Sequence, residues 1–77
     1  MVSAIDRYVI QQVKEKRIAL GYSQSRLAFE LELPTSFIAK MESGREDKKY
    51  NVGHLNILAR VFECSPKDFL PDEVLED

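Results

Sequence analysis

Apolar residues return every three or four positions along most of the chain, the spacing of helices with one buried face. No stretch alternates with the period of two that a half-buried strand needs. Ile5, Val9, Ile10, Val13, Arg17 and Leu20 share one side of a helix over residues 4–20, opened by a Ser3–Asp6 capping box and stopped at Gly21. Ser23 caps a second helix, 24–31, with Leu27, Ala28 and Leu31 turned inward. The connector Glu32-Leu33-Pro34 leads to a third, 35–43, which ends at Gly44. Phe37, Ile38 and Met41 lie on one face of it, and Thr35, Ser36, Ala39, Lys40 and Ser43 on the other. A polar loop, 45–51, precedes a fourth helix running from its Asn51 cap to Phe62. Its main stripe is Val52, Leu55, Leu58, Ala59 and Phe62, with Ile57 and Val61 as a second apolar patch. Ser65, Pro66 and Asp68 supply the cap, first-turn proline and capping acid of a short fifth helix, expected to carry Phe69 and Leu70 inward before Pro71 stops it. Residues 72–77 are expected to fray.

This pattern predicts an all-α, five-helix domain over residues 1–71 followed by an acidic tail, 72–77. At 77 residues the chain has room for one hydrophobic core, so any activity sits on that single scaffold. No apolar run exceeds three residues, which leaves no membrane span and no secretory leader core. The single cysteine, Cys64, cannot pair within the chain and suits a reducing cytoplasm. The formal charge of −2 speaks at first against a nucleic-acid partner. Asp68, Asp72, Glu73, Glu76 and Asp77 lie beyond the last cation, however, so residues 1–67 hold all 11 cations with eight of the 13 acids and carry +3.

The second and third helices are each too short to persist alone and must pack on the others. Two such helices joined by a three-residue turn form the helix-turn-helix unit, whose second helix enters the DNA major groove. Small residues at Thr35, Ser36 and Ala39 would let that helix approach the groove floor, and Lys40 would address base edges or phosphates. On the helical wheel alone the same face reads as ordinary solvated surface.

The register of the whole motif turns that reading toward DNA. The stretch "SQSRLAFELELPTSFIAKMESGR" followed by "NVGHLNILARVFECSPKDFL" resembles the phage-repressor and Cro-like, or XRE, helix-turn-helix family. Arg17, Gly21, Ser23-Gln24, Leu27-Ala28, Ile38, Glu42 and Gly44 fall in its register. The resemblance implies a lambda-repressor-like fold and a cytoplasmic transcriptional regulator, a repressor, that acts as a homodimer on double-stranded DNA without a cofactor. It places Thr35, Ser36, Ala39 and Lys40 at base-reading positions, with Ala39 against a thymine methyl. Ser23, Gln24, Ser43 and Arg45 fall at backbone-contacting positions, with Lys48, Lys49 and Tyr50 as weaker candidates. Two residues depart from the pattern: Glu32 stands where the family often has glycine, and Pro34 replaces the usual Ser or Thr cap, which leaves Thr35 to cap the third helix one residue later.

Arg17 lies within the apolar stripe of the first helix and Glu42 beside Ile38 on the third. Neither charge is tolerable there unpaired, so an internal Arg17–Glu42 salt bridge that orients the recognition helix is expected. Ile57 and Val61 are candidates for a dimer interface, although the first or fifth helix could equally cover them. Phe29 points away from Leu27 and Leu31, and Cys64 fits a small apolar gap. His54 stands in the first turn of the fourth helix with no second ligand at metal spacing, and reads as an exposed residue rather than a metal site. A lone Cys, a lone His and no Gly-rich phosphate loop give no enzyme. The other class of function is a protein-interaction module, such as an antitoxin that binds a partner toxin and autoregulates its operon, with Phe29 and the tail as its surfaces.

Overall fold

In a computed structural model that describes residues 2–45 and 47–77, the chain forms four α-helices and one 3-10 turn. The helices are α1 (Ala4–Ala19), α2 (Gln24–Leu31), α3 (Thr35–Ser43) and α4 (Val52–Phe62). Side-chain caps fix most starts: Ser3 and Asp6 form the capping box of α1, Ser23 Oγ accepts the Arg26 amide at 3.0 Å, and Asn51 Oδ1 accepts that of His54 at 2.8 Å. The ends of α1, α2 and α4 close alike. A left-handed residue lets the next amide reach back to a carbonyl, as in Tyr22 N to Arg17 O and Leu33 N to Ala28 O, both 2.9 Å. Gly21 takes that role after α1, but Glu32 at φ 56° and Glu63 at φ 57° take it after α2 and α4.

α2 and α3 pack on each other, α1 braces α3 and α4, and α2 also meets α4. The core between them is made of Val9, Ile10, Val13, Leu27, Ala28, Leu31, Ile38, Met41, Tyr50, Leu55, Leu58, Ala59, Phe62 and Phe69. The 3-10 turn Pro66–Phe69 packs on α1 and α4 and delivers Phe69, fully buried, edge-on to Phe62.

Several expectations are corrected. The fifth helix is a single 3-10 turn, because Pro71 has no N–H with which to close an α-type bond to the Lys67 carbonyl; Leu70 N closes the tighter bond to it at 3.0 Å instead. Leu70 is therefore not carried inward and is 42% exposed. Ile5 and Leu20 overhang the two ends of the α1 stripe and are exposed, as is Val52 in the first turn of α4. Thr35 does not cap α3. Pro34 occupies the cap position with no side-chain bond, and the helix starts at Thr35 without a shift. Residues 72–77 form no helix or strand and are exposed, with a contact back to the domain, the Asp77 Oδ1 accepting the Ala4 N–H at the start of α1 at 2.5 Å. The 45–51 loop is described except at Glu46, and among the described residues no helix is long and apolar enough to cross a membrane.

Candidate nucleic-acid interface

The amphipathic pattern of α3 resolves into two faces. Ile38 and Met41 are buried and Phe37 half-buried, while Thr35, Ser36, Ala39, Lys40 and Ser43 are exposed along one side. The three-residue turn sets this helix against α2, and the two are joined at their starts by the Ser25 and Thr35 hydroxyls, 3.4 Å apart. Thr35 is thus held at the junction, and Ala39 and Lys40 follow one turn further along the same face.

Behind that face lies one carboxylate with three donors. Arg17 Nε donates to Glu42 Oε2 and Arg17 Nη2 to Glu42 Oε1, both at 2.9 Å, and Gln24 Nε2 donates to Glu42 Oε1 at 3.0 Å. The Arg17 side chain is 12% exposed and that of Glu42 4%. Arg17 Nη1 also donates to the Tyr22 carbonyl at 2.8 Å, which ties the end of α1 to the turn before α2. Charge-assisted bonds of this fork geometry are short and directional. A single side chain of α3 therefore fixes that helix to α1 and to the first residue of α2. The sequence pointed to Arg17 and Glu42 but not to Gln24. A carboxylate has about four acceptor sites and an arginine fork fills two, so a third donor was to be sought among nearby polar residues.

The remaining candidates divide by what they already hold. Ser23 uses its hydroxyl oxygen to cap α2. Ser43 Oγ donates to the Lys40 carbonyl at 2.8 Å and accepts the Arg45 amide at 3.3 Å, closing the end of α3. Arg45 is exposed just beyond it. Lys48 Nζ lies 5.0 Å from the Phe37 ring centroid, a cation–π distance, and Lys49 Nζ lies 3.5 Å from Asp6 Oδ2. Desolvation raises the Asp6 pKa, but the Ser3 hydrogen bonds and Lys49 outweigh it and hold the carboxyl below its usual value. Tyr50 is not available to a ligand. It is buried in the core, its hydroxyl has no hydrogen-bond partner among the described residues, and burial pushes its pKa well up.

Away from this face, Ile57 and Val61 are partly buried against the core, and the Tyr22 hydroxyl reaches the Val61 carbonyl at 3.4 Å. Phe29 is 79% exposed, and Cys64 packs on the core edge with its thiol pKa raised by burial. His54 is half-buried rather than exposed, since its Nδ1 accepts the Asn51 amide at 3.0 Å and completes a capping box. No group of three metal-ligating side chains occurs among the described residues.

A protein-family model described as helix-turn-helix matches residues 13–69. No curated protein and no solved structure matches the chain.

Proposed function

The chain belongs to the helix-turn-helix family of the phage-repressor, Cro-like kind, a family of DNA-binding regulators, and from that premise we propose that it reads a specific double-stranded sequence and represses transcription as a homodimer. The observation that carries this reading is the exposed face of α3, small and polar with one cation, on a helix tied at its back to α1 and α2 through Glu42. In this reading α3 enters the major groove, Thr35, Ser36 and Lys40 meet base edges, and Ala39 meets a thymine methyl. Gln24, at the first position of α2, donates to a phosphate at a helix end whose free amides also favour anions. Ser23, Ser43, Arg45, Lys48 and Lys49 contact the backbone, Lys49 by exchanging Asp6 for a phosphate. Arg17 and Glu42 touch no base and orient the reading helix.

A homodimer would present two recognition helices to successive major grooves about 34 Å apart. Ile57 and Val61 are the proposed contact between protomers. Selection of bound duplexes from a random pool tests the whole reading. The expected product is a two-fold sequence with half-sites about one helical turn apart; a pool that stays random would overturn it. The exposed Phe29 ring favours the second reading, a module that binds a partner protein. Substituting Phe29 with Ser separates the two readings, because a DNA reader keeps its selected sequence after the change.

A further inference from the structure

The proposed reading puts the start of α3 on bases and the residues at and beyond its other end, Ser43, Arg45, Lys48 and Lys49, on the backbone, and gives the first half of α1 no part in that contact. Nine residues of helix span about 13 Å, close to the major-groove width of about 12 Å. With Thr35 and Ser36 on the bases, the last turn of α3 therefore emerges beside a bordering phosphate backbone. At that end a crevice of about 180 Å³ opens between α3 and the first half of α1, lined by Val2, Arg7, Ile10 and Gln11 on one side and Met41, Glu42 and Gly44 on the other, the Glu42 carboxylate being engaged by Arg17 and Gln24.

Arg7 is the cation of this crevice, and no motif assigned it a role. It is exposed, and Nη1 donates to the Val2 carbonyl at 3.0 Å, which steadies the guanidinium against its own helix start. The neighbouring Asp6 carboxylate is engaged by Ser3 and Lys49. The Lys49–Asp6 pair also draws the loop after α3 onto this end of α1 and brings a second cation beside the residue that precedes Arg7. This end of α1 already holds an anion: the Asp77 carboxylate accepts the Ala4 amide one turn before Arg7.

We infer that the crevice between α1 and the end of α3 is a second seat for a DNA backbone phosphate, with Arg7 as the residue that binds it. This rests on the reading of the chain as a DNA binder and adds a contact from α1 on the strand opposite the one reached by Gln24. The two ends of α3 are then pinned to the two backbones that border one groove, and the helix cannot slide along it.

The test is the salt dependence of duplex binding for the full chain, wild type against Arg7→Gln, Arg7→Lys and Lys67→Gln. Lys67 lies in the 3-10 turn that packs on α1 and α4, and its variant carries the same loss of one charge. Each phosphate neutralised contributes about 0.9 to the slope of log affinity against log salt. Arg7→Gln is expected to flatten the slope by about 0.9 and weaken binding severalfold at low salt, with an unchanged melting temperature. Arg7→Lys is expected to keep the slope, and Lys67→Gln to leave it unchanged. An Arg7→Gln slope equal to wild type, or an equal flattening by Lys67→Gln, would overturn the inference while leaving DNA binding intact. A wild type with no salt-dependent binding would instead remove the reading beneath it.

Discussion

The Glu42 carboxylate holds three donors where its side chain is 4% exposed, and the sign of its contribution depends on what is removed. An intact buried ion pair is close to break-even against an apolar replacement, but deleting one partner strands the other charge at a cost of about 3–5 kcal/mol. For Glu42→Ala a loss near the lower end, about 3 kcal/mol, is expected by urea denaturation, since Arg17 retains some solvent contact. Arg17→Met is expected to cost a similar amount, and the double variant Arg17→Met/Glu42→Leu less than the sum of the two. A Glu42→Ala midpoint equal to wild type would show that the pair supports nothing.

His54 adds a pH dependence of known sign. Burial holds its imidazole below the usual value of 6.5, and its Nδ1 serves as an acceptor only while unprotonated. As pH falls through 6.5, the unfolded chain takes up the proton before the folded one does. Stability is therefore full above about pH 7.5, declines as pH falls through 6.5 toward the folded-state value, and levels off below it. Urea midpoints at pH 7.5 and 5.5 check this: wild type should lose stability over the interval and His54→Gln should lose less. The sequence did not disclose this role, because Asn51 and His54 lack the Ser/Thr and Glu/Gln pairing by which a capping box is usually read. Tyr50 was missed for a related reason: it sits in a charged loop, and only the folded arrangement turns its ring into the core beside His54.

At the scale of the elements, boundaries were legible wherever a cap announced them. Ser3, Ser23, Asn51 and Ser65 each open a helical segment where expected, and Gly21 and Gly44 each follow one. What propensity could not show was the type of the last segment, which turns on the missing amide of Pro71 rather than on any preference of residues 66–69. Glu32 is the inverse case. It stands where the resembled family often has glycine, and at φ 56° and ψ 43° it adopts the left-handed backbone that glycine favours although it carries a Cβ. That conformation costs a non-glycine residue roughly 1–2 kcal/mol, part of which glycine returns through a freer unfolded chain. Glu32→Gly is thus expected to raise stability by about 1 kcal/mol with DNA affinity unchanged. Thermal melts and duplex titrations on the same sample check both halves. A lower melting temperature would mean that the turn depends on the Glu32 side chain.

At the scale of the molecule, charge is arranged by position more than by amount. The net −2 conceals +3 over residues 1–67, and Lys40, Arg45, Lys48 and Lys49 follow one another along the exposed side and exit of α3. That layout could be read from the chain, as could the helices and most of the core, since both depend on spacing along the sequence. The Gln24 tie, the seat of Asp77 at Ala4 and the crevice at Arg7 depend on residues brought together from distant positions, and no local pattern encodes them.

The central claim is that the outer face of α3 reads DNA bases, and titration of wild type and Lys40→Ala against a pool-selected duplex and a shuffled one tests it most directly. Wild type should bind the selected duplex at least about a thousandfold more tightly. Lys40→Ala should lose about tenfold of that preference, with a much smaller change on the shuffled duplex. Equal binding of wild type to both duplexes, or a preference that Lys40→Ala leaves untouched, would contradict the account.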